Sequence, residues 1–591
     1  MSDRIKIVSK TIMLILLISP VSLFSVREDV SGIWNQPEYI IENDIRVLSG
    51  DTLLIEEGVT VKFNGNYQFE INGSLLVLGS EESKVQFQSY LENEYWKGIE
   101  FSNYNSSIDS SYIRFAEIGD CQDINGGAVS ILGYSNLLIE NSKIFNCSAE
   151  FGGGIYIDFA HPIIRDTEIC NNYASDSGGG IYSNHSNIVL NNLHVHNNES
   201  ENNAGGMYIN TNRAMIENCL IEFNSTQGYG GGIFVKNQYI GSAIRDCIIR
   251  NNSADLRGGA YYNDDGIVYV YSSVFEGNTS YLGGACFISS ASSFFTNCEY
   301  NNNNSEFGGG AIYLSNTGSV FINCLFSYNE SDFGGACYST SHSSSKFINS
   351  TFVRNHAVYN GGGYHAIIDD GVEIINSIFY YNNTDEIPEN QIYIGSPTSE
   401  TYIRYCNIQN GLNGISGHPE IMQPPLYINN ISVSPLFTDP LTDFSLLTGS
   451  PCINIGTFDL PEGIELPNLD LAGNPRVYED FVDLGPYEWQ GTGIENDELT
   501  IASYTLRNHP NPFNPTTTIS FLISEESHAE LSIYNIKGQK VKQLFSYSAG
   551  QHSVVWDGTD SNNKPVSSGI YLYKLQVNDK TMATRKCILL K

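Results

Sequence analysis

Basic residues are scarce in this chain of 591 residues: 30 Lys and Arg stand against 65 Asp and Glu, a formal charge of −35. That shortage excludes nucleic acid as a partner, because phosphate contacts need a surplus of cationic side chains. Long apolar runs are also few. The single candidate, Ile12 to Ile18, follows Arg4, Lys6 and Lys10 and precedes Pro20. A short apolar core behind a basic leader reads as a secretory signal over residues 1–25, too short for a secure membrane span. Helical periodicity is missing as well; the chain offers short alternating runs broken by Gly and Asn, which is the pattern of strands and tight turns.

What is abundant is repetition. The block Gly126-Gly127-Ala128-Val129-Ser130 returns at Gly152, Gly178, Ala204, Gly230, Gly258, Gly283, Gly309, Gly334 and Gly361, at spacings of 26, 26, 26, 26, 28, 25, 26, 25 and 27. Inside each unit sits a second signature, as in Asn297-Cys298 with Tyr300 and Asn303, or Asn349-Ser350 with Phe352 and Asn355. A period of this length marks a solenoid, since one unit cannot bury its apolar face alone. About three short strands and tight bends per unit fit a parallel β-helix, and ten coils at ~4.8 Å give a rod of roughly 50 Å. Gly serves bends that need positive φ or close approach of the next coil, while turn Asn residues are placed to stack into hydrogen-bonded ladders.

Charge marks a boundary: residues 26–502 carry 17 basic against 58 acidic groups, whereas residues 503–591 carry ten against six. The expected organisation is a signal over 1–25, an N-terminal cap with first coils over 26–120, the repeats over 121–430, a C-terminal cap over 431–490, a linker over 491–502 and a small Ig-like β-sandwich over 503–591. Twelve cysteines in an exported chain would ordinarily suggest disulfides. Yet Cys219, Cys247, Cys298, Cys324 and Cys406 hold one place in the repeat, which reads as a column of buried free thiols. Bridges from Cys219 to Cys247 and from Cys298 to Cys324 are the alternative.

The run Leu53-Leu54-Ile55-Glu56-Glu57-Gly58-Val59-Thr60-Val61-Lys62-Phe63 resembles a first rung of the pectate-lyase-like superfamily, which implies an all-β, right-handed parallel β-helix, and the Gly309–Ile312 and Phe326–Asn329 tetrapeptides resemble repeats of chlamydial polymorphic outer-membrane proteins. Ser434–Asp439, Gly449–Gly456, Asp470–Arg476 and Val482–Glu488 resemble the terminal segment of choice-of-anchor Q β-helix proteins, departing at Asn454 and Pro486. An irregular cap of this kind would cover the exposed sheet edge at the solenoid's end. Asn511–Thr517, Leu531–Gly538, Trp556-Asp557-Gly558 and Ser568–Tyr573, closing on Lys586–Lys591, resemble the C-terminal sorting domain of the type IX (Por) secretion system. That resemblance implies the type IX machinery as a partner and a secreted or surface-attached location on a Gram-negative bacterium, with no transmembrane span in the mature chain.

No catalytic set emerges. A pectate-type lyase needs a strong base beside carboxylates holding calcium, but residues 121–400 contain only Lys143, Lys236 and Lys346 with Arg165, Arg213, Arg245, Arg250, Arg257 and Arg354. The doublets Asp264-Asp265 and Asp369-Asp370 lie four coils apart, roughly 19 Å at ~4.8 Å per coil, too far for a hydrolase pair. Calcium is conceivable at either doublet and unsupported; Asp557 and Asp560 read as a sorting-domain turn. His194 and His196 share a strand face and suit zinc or proton transfer, with no third ligand to join them. No cofactor or metal is therefore assigned.

The candidate site is aromatic. The fifth place of the block holds Tyr156, Tyr182, Tyr208, Phe234, Tyr262, Phe287, Tyr313 and Tyr338. Strand alternation points these rings away from the core, in a stripe roughly 34 Å long at ~4.8 Å per coil. Exposed, they would stack against sugars; covered, they would be a self-stabilising ladder. The leading expectation is a non-catalytic, adhesin-like module binding extracellular polysaccharide or a host or neighbouring cell surface. A polysaccharide lyase or glycoside hydrolase and a structural surface rod are the alternatives.

Overall fold

The computed structural model describes residues 28–590 apart from 103–109, 135, 212, 341, 368–370, 397–400, 419–425, 479, 492–505, 510, 524–528, 548–549 and 578–579. The expected signal and nearly all of the expected linker lie outside the described residues. The chain divides into two units, residues 1–489 and 490–591. Apart from one 3-10 turn at Gly411–Gly414, the described residues form no helix. The first unit is a parallel β-helix. The second is a sandwich of a three-stranded and a four-stranded antiparallel sheet around Phe513, Ile533, Trp556 and Leu575.

One coil shows how the repeat folds. After Gly178-Gly179-Gly180 come a front strand (Ile181–Asn184), a flank strand (Asn187–Asn191), a back strand (His194–His196) and a corner strand (Glu199–Ser200). Each pairs in parallel with its counterpart one coil on, as in Ile181↔Met207, Val189↔Met215, His194↔Leu220 and Glu199↔Ser225. The back strands make one fifteen-stranded ladder. Alternate side chains, such as Ile181, Ile188, Leu190 and Val195, fill a continuous core.

The two glycine properties expected of the block divide between its first two places. Gly178 has φ +73, and Ala204 holds the same place with φ 57. At Gly179 a Cβ would sit 2.4 Å from the Glu199 carbonyl oxygen and 2.5 Å from that of Gly205, so backbone approach excludes any side chain.

The turn Asn after the back strand does form a ladder. Asn172, Asn198, Asn224, Asn252, Asn278, Asn303, Asn329, Asn355 and Asn382 are all buried. Asn198 accepts from the backbone N–H and the Nδ2 of Asn172, both at 3.0 Å, and donates to the Ile169 carbonyl at 2.9 Å and to Asn224 Oδ1 at 3.0 Å. Both lone pairs and both amide hydrogens are used, which only a carboxamide can achieve.

All twelve cysteines are free and buried. Cys219 donates to the Glu217 carbonyl at 3.2 Å and Cys247 to that of Arg245 at 3.2 Å, so the bridge considered between them is not formed. Cys298 and Cys324 likewise turn toward the Thr296 and Ile322 carbonyls. Burial pushes the Cys406 thiol up to about 12.

The segment after the solenoid corrects an expectation. Instead of covering the last rung, it folds back along the side of the coils, where Phe437, Phe444 and Leu484 pack on Leu325, Val353 and Ile378 of the back ladder. Leu460, Ile464 and Leu466 pack on Val320, Ile322 and Ile348 of the flank ladder. Between these two faces, Asn323, Asn349 and Asn376 donate to the carbonyls of Leu469, Asp483 and Thr457 at 3.1, 2.9 and 2.8 Å. Flank and back strands expose apolar residues here, and covering them gains more than covering one edge.

Arg476 organises this segment. It is buried, bonds the Gly485 and Asp483 carbonyls at 3.0 and 2.9 Å and pairs with Glu488 at 3.0 Å. Asp470 and Asp483 add their charge to the same knot, their carboxylates accepting from the backbone N–H groups of Asn474, Glu488, Asn454 and Trp489. Burial, with Asp483 and Asp470 adding to it against the pull of Arg476, pushes Glu488 up to about 8. Folding therefore takes up a proton here: the stability is full below the ordinary value of 4.5 and is lost as pH rises toward about 8. Proteolysis within 431–489 should be faster at pH 8.5 than at pH 5, and Glu488→Gln should remove most of that difference; an unchanged pH dependence in the variant would contradict the assignment.

Candidate functional site

The eight fifth-place rings do point away from the core, as strand alternation requires, and register places each directly on the next, as in Tyr156↔Tyr182 and Tyr208↔Phe234. They stack face to face, with successive centroids at 5.4, 4.7, 4.9, 4.9, 5.3, 4.8 and 4.9 Å from Tyr156 to Tyr338. The column continues through His365 at 4.9 Å and Tyr393 at 4.4 Å. His365 occupies the fifth place of the Gly361 block, where an imidazole replaces the Tyr or Phe of the eight preceding units. Burial lowers its imidazole to about 4, so it stacks as a neutral ring, with Nδ1 3.3 Å from the Asn360 carbonyl.

This geometry corrects the expectation of an open stripe at Tyr156, Tyr182, Tyr208, Phe234, Tyr262, Phe287, Tyr313 and Tyr338. A sugar binds a ring face, and each interior ring has both faces taken by neighbours. Phe234, Tyr262, Phe287 and Tyr338 keep only 3–5% of their surface exposed. Residues just before the Gly-Gly block lean over the column: Phe151 lies 5.2 Å from Tyr182, Tyr229 stacks on Tyr262 at 5.2 Å, Phe307 meets Tyr338 at 6.0 Å and Arg257 covers Phe287 at 4.8 Å. Tyr156, Tyr182, Tyr208 and Tyr313 remain half-buried. Burial and the nearby Asp176 and Asp264 push the Tyr208 phenol up to about 12, so these hydroxyls stay protonated donors.

A different column is open. On the flank strands Ile33, Leu54, Leu76, Tyr112, Leu138, Ile163, Val189 and Met215 stand in successive register. All point outward, and Ile163 and Val189 remain 44% and 39% exposed. Beyond Ala243 the column runs on through Tyr269, Phe294 and Val320, and at its far end the folded-back segment seats Leu460, Ile464 and Leu466 upon it. Because the repeat carries no conspicuous signature at the flank strand, sequence reading passed over it.

Charged groups pair between neighbouring coils. Lys84 meets Glu117 at 2.9 Å, Arg114 and Arg165 share Glu140 at 2.7 and 2.5 Å, and Lys346 meets Glu373 at 2.5 Å. Arg250 bonds Glu222 at 2.7 Å, Arg245 lies over Tyr271 at 4.8 Å, and Arg354 bonds the Pro440 carbonyl at 2.5 Å. Most of the bases a lyase would use are thus committed to carboxylates, rings or carbonyls, whereas Arg213 is exposed. Asp264 lies 3.7 Å from Lys236, and Asp369 and Asp370 fall outside the described residues. Asp557 bonds Lys542 and Asp560 accepts turn amides from Asn562 and Lys564, as a turn requires.

On the back ladder, register sets Glu168 against His194 and Cys170 against His196. His194 Nε2 bonds Glu222 at 2.9 Å, and its ring stacks on His196 at 4.0 Å. His196 Nε2 lies 3.1 Å from Glu168, whose oxygen also accepts from Lys143 at 2.9 Å and from the Cys170 thiol at 3.3 Å. The His196 and Lys143 bonds hold the Glu168 carboxyl far below the usual range.

If the rings are structural, Phe234→Ala should lower stability by about 3–5 kcal/mol, and Tyr208→Ala by a similar amount. Urea unfolding of the full chain checks this, and a loss below about 1 kcal/mol would contradict a packed ladder.

Residues 512–581 match the FlgD Ig-like domain, and residues 166–184, which span Glu168, Asn172 and Tyr182, match the Chlamydia polymorphic membrane protein repeat. No curated protein matches the chain. Pectate lyase Pel9A is similar at 11% identity over 73% of this chain and 88% of that one, with a TM-score of 0.26. A tailspike of E. coli bacteriophage HK620, solved with a hexasaccharide, is 9% identical over 93% and 85%, with a TM-score of 0.27. The tailspike gp49 of Acinetobacter baumannii bacteriophage Fri1, a capsular polysaccharide depolymerase, is 9% identical over 93% and 74%, with a TM-score of 0.23. Among the described residues no helix is long and apolar enough to cross a membrane.

Proposed function

We propose that this chain is an exported β-helix, secreted or held at the outer surface of a Gram-negative cell, which binds an extracellular partner without catalysing a reaction on it. The observation that carries the reading is the open flank column. An apolar strip running through successive coils, flanked by Arg114, Glu140 and Arg165, needs a partner that follows the rod. What supports a polypeptide partner is the far end of the column, where this chain's own irregular segment packs Leu460, Ile464 and Leu466. We therefore assign the column to a polypeptide of another surface protein, and assign the aromatic ladder to stability. The terminal sandwich, with its Asn511–Thr517 and Ser568–Tyr573 strings, supports delivery through the type IX secretion machinery as a sorting domain.

The labelled full chain should bind intact bacterial cells, and binding should be lost once the cells are shaved with protease. Ile163→Lys with Val189→Lys should weaken it about tenfold or more while leaving thermal unfolding unchanged. Equal binding by the double variant would remove the column. Binding that survives shaving and follows extracted polysaccharide, or product release from uronic-acid polymers, would overturn the reading.

A further inference from the structure

The pair His194 and His196 lacked a third ligand in the sequence, and the back ladder supplies two candidates one coil earlier. Glu168, Cys170 and His196 each direct one donor atom into the same spot, and the three donors lie within 4.8 Å of one another. Glu168 to His196 is 3.1 Å, and Glu168 to the Cys170 sulfur is 3.3 Å. Ligand bonds of about 2.0–2.3 Å around a tetrahedral ion put neighbouring donors about 3.3–3.8 Å apart, so the observed spacing suits one small divalent ion.

Cys170 also differs from the thiols of the inner column. In its strand Ile169 points into the core, so Cys170 faces outward with Glu168 and stands apart from the aliphatic core. The donors come from two consecutive strands of a rigid ladder, which holds them without help from a loop. Asn197 Nδ2 lies 2.8 Å from His196 Nδ1, in reach of the second nitrogen that metal-bound histidines hydrogen-bond.

We propose that Glu168, Cys170 and His196 form a zinc(II) site that staples two adjacent coils and leaves a fourth position open to water. The mixed oxygen, sulfur and nitrogen set selects zinc over calcium or magnesium, which take oxygen ligands. On binding, the Cys170 thiol releases its proton to solvent and its sulfur lone pair goes to the ion. The His196 Nε2 lone pair does the same, its proton moving to Nδ1, where the Asn197 amide turns its oxygen to accept it. One carboxylate and one thiolate neutralise the ion. The Lys143 ammonium, now bonded to Glu168, then faces a competing cation. The site lies on the back ladder and stands independently of the flank column.

The test uses the full chain, reduced and stripped with a chelator, titrated first with cobalt(II) as a visible stand-in and then with zinc(II). One cobalt per chain should give a thiolate-to-metal charge-transfer band with the intense visible bands of a tetrahedral ion, and zinc should displace it. Cys170→Ser should abolish the charge-transfer band, His196→Gln should weaken binding at least about tenfold, and Lys143→Met should tighten it. Zinc should raise the unfolding temperature of the unmodified chain and not that of Cys170→Ser. Absence of the bands, their persistence in Cys170→Ser, or weaker binding by Lys143→Met would overturn the assignment. The Lys143 variant changes a half-exposed side chain and keeps the test decisive even where the core-proximal variants fold poorly.

Discussion

The carboxamide ladder from Asn172 to Asn382 is the interaction on which the remaining structure depends. Each coil must turn sharply after its back strand, and the turn places a backbone N–H where water cannot reach it. The Asn of the next coil accepts from that N–H and from the side chain one coil before, while donating to a core-side carbonyl, as Asn278 does toward Asn252 and Ile249. A buried donor left alone would cost about 1–3 kcal/mol. Every rung therefore satisfies its neighbour, and no rung can slip without leaving two others unmet.

Fixing the register has a second effect: it turns each place of the repeat into a column on the surface. Fifth-place rings become a continuous stack, outward flank residues become an apolar strip, and Glu117, Lys143, Glu168 and His194 on the back strands become a line of alternating acids and bases. The same periodicity that builds the core thus decides which groups meet outside it. Glu168 and Cys170 stand against His194 and His196 because two strands of three residues pair without offset. Surface function in such a rod is a property of columns, and a residue acquires meaning from what stands one coil away.

Much of this was legible in the chain itself. The Gly-Gly spacing gave the coil, the paired Asn positions gave the ladder, and strand alternation correctly sent Tyr182 and Tyr208 away from the core. Alternation cannot say whether an outward ring is open, because that depends on ring tilt and on which residues lean over it, here Phe151, Tyr229 and Arg257. The flank column escaped notice since Ile163, Val189 and Met215 look like ordinary strand residues until register aligns them. For the folded-back segment, the Asp470–Arg476 and Val482–Glu488 strings identified the piece but not its seat, which is set by Val320, Leu325 and Ile348 many coils earlier.

The central claim is that amide pairing between coils, more than turn geometry, holds the rod in register. Urea unfolding of Asn278→Ala beside Asn302→Gly compares the two directly, since Asn278 is a buried rung and Asn302 holds a turn at φ 54 without being part of the ladder. Losing the rung strands the Asn252 donors and the Ile249 carbonyl, so Asn278→Ala should cost about 3 kcal/mol or more, and Asn302→Gly less than about 1 kcal/mol. Equal effects, or a smaller loss at Asn278, would contradict the account.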